Sequence, residues 1–506
     1  MQRGKWLAWV CCLPLLPGSV ALGLFFWITL HRLDYPFELE WMEGAMLHQV
    51  VRVLDGAPLY GDASLAFVPA LYMPLYYFVC TAVTNVVGTQ LFALRLVSWV
   101  STLALMLVLA QTARKATGSV LAAVLAPLLY VSLFRYTAFW FDVARVDSLW
   151  TLLLLCSVAP LISFLRTGHR RWLWVSACAW LSALLAKQAS VFVLPCLVLV
   201  VWCWGSVRLA VTYAVGVLLV GAGLLMGLQR ELGDQFLFYT LQMASSHGVS
   251  LYGFERFFRD IFTSVPVMLL VAVAGLFVMP GGSRERTGWA LLLLGFFGLS
   301  MLSRAYAGAF FNVLMPLYAA LALVAACGVV WGCRYAMTAK PWPCVVAVAL
   351  VFGLSFELLR STVYDPSRQV PTADSERVTQ AFVDRLAAVP GKVCVVAHGY
   401  LSYLAGKPFC AHNTQITDLV SGSDPVLAQQ FLDRVRDSLR RGEYAVLVLD
   451  REKELRDLGV TLAEIPYDAS PINYPDGKMQ FVVNGNGPSL WLQFNPEKAI
   501  ALTGVH

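Results

Sequence analysis

The sequence predicts an α-helical polytopic membrane protein that ends in a small α/β domain outside the membrane. Hydrophobic residues make up 58% and charged residues 13% of the 506 positions, and the mean hydropathy is +0.67. That composition excludes an ordinary soluble protein, because so many apolar side chains need lipid or one another as neighbours. Long charge-free stretches recur up to residue 361, whereas the composition from residue 362 onward is polar. We therefore expect about 11–13 spans in residues 1–361 and a separate domain in residues 362–506.

Eleven charge-free stretches are predicted to cross the membrane, because a crossing helix needs ~20 apolar residues. The first is too long for the apolar region of a signal peptide, so it is expected to be retained. Residues 172–204 are interrupted only by Lys187 and are too long for one crossing, so we divide them there. Pro69 to Gly88 is also apolar but is expected to lie in the outer interface. The predicted spans are residues 6–31, 91–112, 119–139, 148–165, 172–186, 189–204, 209–228, 261–280, 287–303, 309–331 and 343–361.

The distribution of charge predicts the orientation of these spans. If Pro69 to Gly88 does not cross, one side collects thirteen basic residues and a single acid, Glu285. Cytoplasmic loops carry such an excess of Lys and Arg, so that side is predicted to be cytoplasmic and the tail extracytoplasmic. We expect a multi-pass protein of the cell (inner or plasma) membrane whose basic membrane part contacts anionic lipids and not nucleic acid. The thirteen basic residues are Arg3, Lys5, Arg95, Arg114, Lys115, Arg166, Arg170, Arg171, Arg208, Arg284, Arg286, Arg334 and Lys340.

The tail has the alternating helix and strand pattern of a small α/β domain. It contains no nucleotide-binding glycine loop and no nucleophile elbow, so we expect it to support the membrane part or to contact an acceptor molecule. Its two cysteines, Cys394 and Cys410, allow a disulfide without implying one. The predicted elements are helices at residues 375–388 and 425–441, strands at 392–397 and 444–449, and a hairpin-like pair within 481–494.

The first outer loop, residues 32–68, carries four carboxylates within ten positions and no basic residue among them. They are Asp34, Glu38, Glu40 and Glu43, and Gly44 to Leu54 follows as a short amphipathic helix. Clustered carboxylates repel one another, which raises the pKa of at least one and suits a general base or a metal ligand. A solvated acidic loop is the competing interpretation.

A second acidic segment, Tyr136 to Asp147, follows the third predicted span. Asp142 and Arg145 are three residues apart, so a structural salt bridge between them is one interpretation. Asp147 is then left over directly before a charge-free span, which makes it the better functional candidate. Charged side chains beside a span favour the interface or a cavity, because charge is costly at the bilayer centre.

Besides Asp142 and Arg145, which are also candidates for substrate contact, three further polar side chains are of this kind. Lys187 is the only charge among 33 residues and is predicted at the outward tip of a hairpin. There it either extends to the interface or binds an anionic phosphate. Arg304 and His247 lie in outer segments and are weaker candidates, since a single histidine in a loop is usually ordinary surface.

Several segments together resemble the GT-C membrane glycosyltransferases, in particular the branch of protein O-mannosyltransferases and the aminoarabinose transferase of lipid A. The first-loop segment EWMEGAMLHQVVRVLDGAPLY resembles the acidic residue, helix, Gly and Tyr of that branch, and YVSLFRYTAFWFDVARVDSL resembles its second acidic motif. LFALRL, LLAKQASVFVLP and AGAFFNVLMPLYAALAL are similar to further family segments. The usual Asp-Glu pair of the first loop is Met42-Glu43 here, so either Glu43 or Glu40 is the acting carboxylate.

The resemblance implies a GT-C-like catalytic domain in residues 1–361 that moves a sugar from a polyprenyl-phosphate donor to a lipid, glycan or protein acceptor. Glu43, Glu40 and Asp147 are the implied catalytic carboxylates, and cationic side chains stabilise the phosphate leaving group. The three carboxylates also suit a shared divalent metal, although Lys or Arg can neutralise a monophosphate without one. A transporter of lipid-linked sugars is the alternative. Substitution of Asp34 or Glu38 is expected to have little effect.

Overall fold

The predicted fold class is confirmed by the computed structural model, which describes residues 2–88, 90–246, 248–306, 308–338, 341–474 and 477–503. Sixteen α-helices precede the tail within these ranges. They are α1 (Gln2–Cys11), α2 (Leu15–Arg32), α3 (Glu43–Leu54), α4 (Leu75–Val87), α5 (Leu91–Thr117), α6 (Val120–Val131), α7 (Asp147–Thr167), α8 (Arg171–Ala186), α9 (Leu194–Trp204), α10 (Val207–Leu232), α11 (Gln235–Leu237), α12 (Leu251–Ser264), α13 (Pro266–Val278), α14 (Ser283–Ala305), α15 (Met315–Thr338) and α16 (Pro341–Thr362).

Each of the eleven predicted spans corresponds to helical structure. Among the described residues, seven helices are long and apolar enough to cross a membrane. α12 and α13 pass the same test as a pair bent by 86°, and three predicted spans are shorter apolar helices. α4, inside the apolar stretch Pro69 to Gly88, has only 13 residues, which is about 20 Å against a hydrocarbon core of about 30 Å. The seven long helices are Trp6–Arg32, Leu91–Thr117, Asp147–Thr167, Val207–Leu232, Ser283–Ala305, Phe311–Thr338 and Pro341–Thr362.

The helical core is built around α15, whose apolar stretch is completely buried. It packs against α5, α6, α7, α13, α14 and α16. α13 approaches it so closely that a Cβ on Gly275 would lie 2.4 Å from the Cα of Gly328. Small residues allow such close approach of helices in a membrane, where packing rather than the hydrophobic effect holds helices together.

The basic loops gather at one end of the helical bundle. Arg166, after α7, forms an ion pair of 3.3 Å with Glu285 and donates to the carbonyl of Ala116. Lys115 lies 5.7 Å from the ring centroid of Trp172. Trp204, at the end of α9, donates from Nε1 to the carbonyl of Glu285 at 3.2 Å. The ends of α5, α7 and α9 and the start of α14 are thus neighbours, as the charge distribution predicted.

Arg95 is an exception, and its assignment to this basic end was wrong. It lies near the start of α5, at the opposite end of the bundle, where it contacts Glu43. The error has a physical reason. A fully buried arginine is paired internally, so it takes no part in the surface charge asymmetry that orients a membrane protein.

The tail forms a four-stranded sheet with helices around it. β1 (Val393–Val395) pairs in parallel with β2 (Val446–Leu449), and β2 and β3 (Tyr467–Pro471) each pair antiparallel with β4 (Leu490–Phe494). The predicted helices and first two strands are therefore present. The tail helices are α17 (Ala373–Ala387), α18 (Gly399–Leu404), α19 (Asn413–Val420), α20 (Pro425–Arg440), α21 (Glu454–Asp457) and α22 (Pro496–Thr503).

The hairpin predicted within residues 481–494 is wrong, because β4 pairs with β3 instead. Residues 481–489 form no strand, which fits the two glycines and the proline in Gly485 to Pro488. This segment turns toward the first loop, and Val483 N–H donates to the carbonyl of Leu39 at 3.0 Å.

Candidate active site

Glu43, the first residue of α3, is saturated with hydrogen bonds. Its Oε1 accepts from Arg95 Nε at 2.9 Å and from the backbone N–H of Ala144 at 2.7 Å. Its Oε2 accepts from Arg95 Nη2 at 2.5 Å and from the N–H of Leu39 at 2.7 Å. Burial by itself raises the pKa of Glu43, but the charge and hydrogen bonds of Arg95 outweigh burial and hold it below its usual value. Glu43 is therefore a firmly ionised carboxylate whose four acceptor positions are occupied.

Arg95 uses all five of its N–H donors on this one end of the bundle. Besides Glu43, it donates to the carbonyls of Arg32 at 3.1 Å, Tyr35 at 2.5 Å and Phe37 at 2.6 Å. The Arg95 and Glu43 side chains are both inaccessible to solvent. A planar guanidinium satisfied in this way fixes the chain from the end of α2 to the start of α3.

Glu40 has a different environment, although it is equally buried. Its Oε2 accepts from Arg145 Nη1 at 2.9 Å and from the N–H of Met42 at 3.2 Å. Its Oε1 has no hydrogen-bond partner in the described part of the chain. Burial raises the pKa of Glu40 to about 7; Arg145 opposes this rise and the charge of Glu43 adds to it. A carboxylate with one unoccupied oxygen and a pKa near neutrality has the properties of a general base.

Two cations flank the ring of Tyr72, a residue that the sequence gave no reason to select. Arg145 Nη2 donates to the Tyr72 hydroxyl at 3.1 Å, and Lys187 Nζ lies 5.5 Å from the ring centroid. Lys187 in turn forms an ion pair of 2.8 Å with Asp147. The side chains predicted from separate segments, Glu40, Arg145, Asp147 and Lys187, thus form one cluster.

Lys187 and Asp147 both lie where a helix begins or ends, and these breaks in the helices position the two side chains. Lys187 caps the end of α8 in an extended conformation, just before a 3₁₀ turn, and its side chain reaches Asp147 of α7. Asp147 is the first residue of α7 and accepts from Trp140 Nε1 at 3.1 Å. In the connection between α6 and α7, Ala138 and Phe139 have φ of 53° and 61°, a left-handed conformation that non-glycine residues adopt at a cost.

Asp142 does not pair with Arg145, so that interpretation of the second acidic segment was wrong. Arg32 Nη1 lies 3.1 Å from Asp142 Oδ1, and Arg145 pairs with Glu40. Residues 141–146 form turns rather than a helix, so a spacing of three does not bring the two side chains onto one face.

Arg304 lies outside the cluster, at the end of α14. It forms an ion pair of 2.9 Å with Asp260 and lies 4.9 Å from the ring centroid of Phe311. The ring of Phe310 lies 5.2 Å from that of Phe311 and 5.2 Å from that of Trp140. The remaining candidate, His247, lies outside the described residues.

The solvated-loop interpretation is wrong for Glu38, Glu40 and Glu43, which are all buried. Glu38 Oε1 accepts from the N–H of Gly44 at 3.0 Å, and its Oε2 meets His398 Nδ1 of the tail at 2.7 Å. The expectation that Glu38 tolerates substitution therefore does not fit its surroundings. Nothing in the sequence indicated this partner, which lies 360 residues away.

The candidate carboxylates bind separate cations rather than one another. Glu43 pairs with Arg95, Glu40 with Arg145 and Asp147 with Lys187. Over the described ranges, no three His, Cys, Asp or Glu side chains converge in a way that could hold a metal ion. The shared metal considered for Glu40, Glu43 and Asp147 is thus not matched by their arrangement.

Comparison with solved structures identifies the fold. ArnT from Cupriavidus metallidurans bound to undecaprenyl phosphate is similar with a TM-score of 0.59 and 12% identity, over 94% of this chain and 97% of ArnT. The apo state of the same protein is similar with a TM-score of 0.59 and 14% identity, over 96% of this chain and 98% of ArnT. A third similar structure is the archaeal oligosaccharyltransferase AglB from Archaeoglobus fulgidus in complex with an inhibitory peptide and a dolichol-phosphate. Its TM-score is 0.53 and its identity 10%, over 90% of this chain and 71% of AglB.

No family model matches the sequence, and no curated protein matches it. The structural likeness extends over nearly the whole chain, including the tail, at identities too low to carry more than the fold. The chain has the GT-C fold of these membrane transferases, as the sequence resemblance implied.

Replacement of Arg95 by Gln is expected to destabilise the protein strongly. Removing one partner of a buried ion pair leaves the other charge uncompensated, which typically costs about 3–5 kcal/mol in the free energy of unfolding. Unfolding in detergent, followed by circular dichroism, measures this loss.

Arg377→Gln provides the matched control, because it breaks an exposed ion pair with Asp374 in the tail. Exposed pairs contribute less than about 1 kcal/mol. Equal stability of the Arg95 and Arg377 variants would contradict the anchoring role of Arg95.

Proposed function

We propose that the chain is an integral membrane glycosyltransferase that transfers a sugar from a polyprenyl-phosphate donor to an acceptor on the extracytoplasmic side. The observation that carries the proposal is the cluster of Glu40, Arg145 and Lys187 around Tyr72, because it combines a proton acceptor with two phosphate-binding cations. The fold likeness supports the donor class, since ArnT is seen with undecaprenyl phosphate and AglB with a dolichol-phosphate.

The donor phosphate binds to Lys187 and Arg145 in this mechanism. Both side chains are partly accessible, Lys187 to 11% and Arg145 to 5%, and each is held by a single carboxylate. The phosphate competes with those carboxylates for the N–H donors, so Arg145 turns from Glu40 toward the donor. The lipid tail of the donor stays in the bilayer, which explains why this transferase is built of spans.

Glu40 then acts as general base. The acceptor hydroxyl loses its proton to Glu40 and its oxygen attacks the anomeric carbon of the donor sugar. The bond from that carbon to the phosphate oxygen breaks, and the phosphate leaves with the bonding electrons as polyprenyl phosphate. Lys187 and Arg145 stabilise the charge that develops on the leaving group.

Glu43 is assigned a different role from Glu40, although either carboxylate fitted the sequence pattern. All four acceptor positions of Glu43 are occupied by Arg95 and two backbone N–H groups, and its pKa is below the usual value. A proton delivered to Glu43 would have to displace one of these donors. Glu43 therefore anchors the loop, while Asp147 orients Lys187 and is not itself the base.

The proposed orientation has independent support in the tail. Cys394 and Cys410 form a disulfide there, and disulfides persist mainly in oxidising compartments. The basic loops lie at the opposite end of the bundle, as expected for a cytoplasmic face.

Glu40→Gln is expected to lower kcat about 10²–10⁴-fold, the usual contribution of a general base. Because Glu40 must be ionised and its pKa is raised to about 7, kcat/KM of the wild type should fall as the pH drops through that value. Transfer from a panel of polyprenyl-phosphate sugars by purified protein measures both. Glu285→Gln, at the basic end, is the control and should keep wild-type turnover. A Glu40→Gln turnover within a few-fold of wild type would remove Glu40 from the mechanism, and a transporter without chemistry predicts no transfer by any variant.

Lys187→Ala is expected to weaken the binding of undecaprenyl phosphate about 10-fold or more, because a hydrogen bond to a charged group contributes about 1.5–3 kcal/mol. Lys187→Arg should be partly tolerated, since it keeps the charge. Titration of the purified protein with undecaprenyl phosphate gives the affinity, and Lys115→Ala at the basic end is the control. Unchanged affinity in Lys187→Ala would show that Lys187 does not bind the phosphate, and Arg304 would be the next candidate.

A membrane-impermeant maleimide tests the orientation in intact cells. A cysteine at Glu452, exposed on the tail, should be labelled, whereas one at Arg170, exposed at the basic end, should react only after permeabilisation. The reverse pattern would invert the protein and locate the cluster on the cytoplasmic side.

A further inference from the structure

The C-terminal domain holds the backbone on both sides of Glu40. Val483 N–H donates to the carbonyl of Leu39 at 3.0 Å, and Trp41 N–H donates to the carbonyl of Asn484 at 3.0 Å. These bonds form a parallel bridge that pairs Glu40 with Asn484. A separate tail segment adds a bond between His412 Nε2 and the carbonyl of Trp41 at 3.1 Å.

The first loop also contributes to the hydrophobic core of the tail. Phe37 and Leu39 are buried in the same cluster as Val395 of β1 and Val448 of β2. The side chain of the next residue, Glu40, instead meets Arg145 of the membrane part at 2.9 Å. The loop that carries Glu40 is thus an integral part of the domain formed by residues 362–506.

His398 joins three parts of this interface. Its Nδ1 lies 2.7 Å from Glu38 Oε2, its Nε2 lies 2.8 Å from the carbonyl oxygen of Asn486, and Asp450 Oδ1 is 3.4 Å from the same nitrogen. The ring stacks on Phe481 with centroids 4.5 Å apart. Glu38, His398 and Asp450 are called the His398 clamp below.

The contacts of the His398 ring fit its charged form. The carbonyl oxygen of Asn486 only accepts hydrogen bonds, so Nε2 carries a proton, and an ionised Glu38 accepts a second one from Nδ1, which is the imidazolium form. Burial by itself lowers the pKa of His398, but Asp450 and Glu38 outweigh burial and raise it well above the usual value. Glu454 stands behind this arrangement and accepts from the N–H of Asp450 at 3.1 Å.

The clamp acts on the loop through Glu38. The second carboxylate oxygen of Glu38 accepts from the N–H of Gly44 in the first turn of α3, so one side chain connects His398 to the helix that Glu43 begins. A Cβ on Gly44 would lie 2.4 Å from both Glu38 Oε1 and the Cβ of Tyr400, so glycine is needed for this close approach. In the sequence, Glu40 lies between Glu38 and Gly44, the two residues joined by this hydrogen bond.

We propose that His398 is a positioning residue for Glu40, and that the C-terminal domain thereby forms part of the catalytic unit. The inference rests on the proposed function of Glu40 as general base. His398 touches neither the donor-binding cations nor the reacting atoms; it fixes the loop that carries the base. A displacement of about 1 Å in a reacting group can cost roughly 10²-fold in rate.

His398→Gln is therefore expected to lower kcat about 10–100-fold while KM for the polyprenyl-phosphate sugar stays within about threefold of wild type, since Lys187 is unaffected. Glu38→Gln should also lower kcat without changing KM. Its effect on kcat should be smaller than that of His398→Gln, because the amide oxygen still accepts from the N–H of Gly44. In the double variant two neutral amides face each other, so its kcat should be no lower than that of His398→Gln alone.

Tyr467→Phe is the matched control. It removes a buried hydrogen bond within the tail, from the Tyr467 hydroxyl to the carbonyl of Tyr444 at 2.8 Å, without touching the loop. Its kcat should stay within twofold of wild type. A similar fall of kcat in Tyr467→Phe, or a kcat within twofold of wild type in folded His398→Gln, would overturn the proposal.

Amide hydrogen exchange gives a readout that does not need activity. His398→Gln should speed exchange at Trp41 and Val483, whose N–H groups make the loop contacts, and Tyr467→Phe should not. If exchange responds in this way but wild-type protein transfers no sugar, the proposed function fails and the link between His398 and the loop stands. Unchanged exchange in His398→Gln overturns the positioning role whatever the activity.

Discussion

The end of the bundle that carries the candidate site depends on one buried ion pair, that of Glu43 with Arg95. Taking two charges out of water is costly, and the cost is offset only if every donor and acceptor finds a partner. Here this condition is met, because Glu43 accepts four hydrogen bonds and Arg95 donates to three backbone carbonyls as well. The pair therefore holds together the end of α2, the first loop, the start of α3 and the segment around Ala144, and each of these contributes to the candidate site.

This anchor divides the roles of two carboxylates that are three residues apart. Glu43 is saturated by donors and stays ionised, whereas Glu40 keeps one oxygen without a partner in the described structure and titrates near neutrality. The charge of Glu43 is also one of the influences that raise the pKa of Glu40. Environments that separate the pKa values of neighbouring acids commonly separate their functions, and here the neighbours rather than the sequence spacing decide which acid is suited to be the base.

The sequence was informative where a property is local and uninformative where it depends on distant partners. Hydrophobicity located the spans, and the pattern of charges selected Glu40, Arg145, Asp147 and Lys187 as candidates, each from its own segment. The partners of these side chains could not be predicted. Asp142, for example, was matched with Arg145, the nearest arginine in the sequence, whereas in the structure it pairs with Arg32. Glu38 and His398 are 360 residues apart, and only the docking of the tail on the first loop makes them neighbours.

The most direct test of the central claim is a structure of the protein with bound undecaprenyl phosphate. We expect phosphate oxygens within hydrogen-bond distance, roughly 3.2 Å, of Lys187 Nζ and of an Arg145 nitrogen. Arg145 should have left Glu40, and the pair of Glu43 with Arg95 should be unchanged. A phosphate bound at Arg304, with the pairs of Glu40 with Arg145 and of Asp147 with Lys187 both intact, would contradict the role of Lys187 and Arg145 as the phosphate-binding cations.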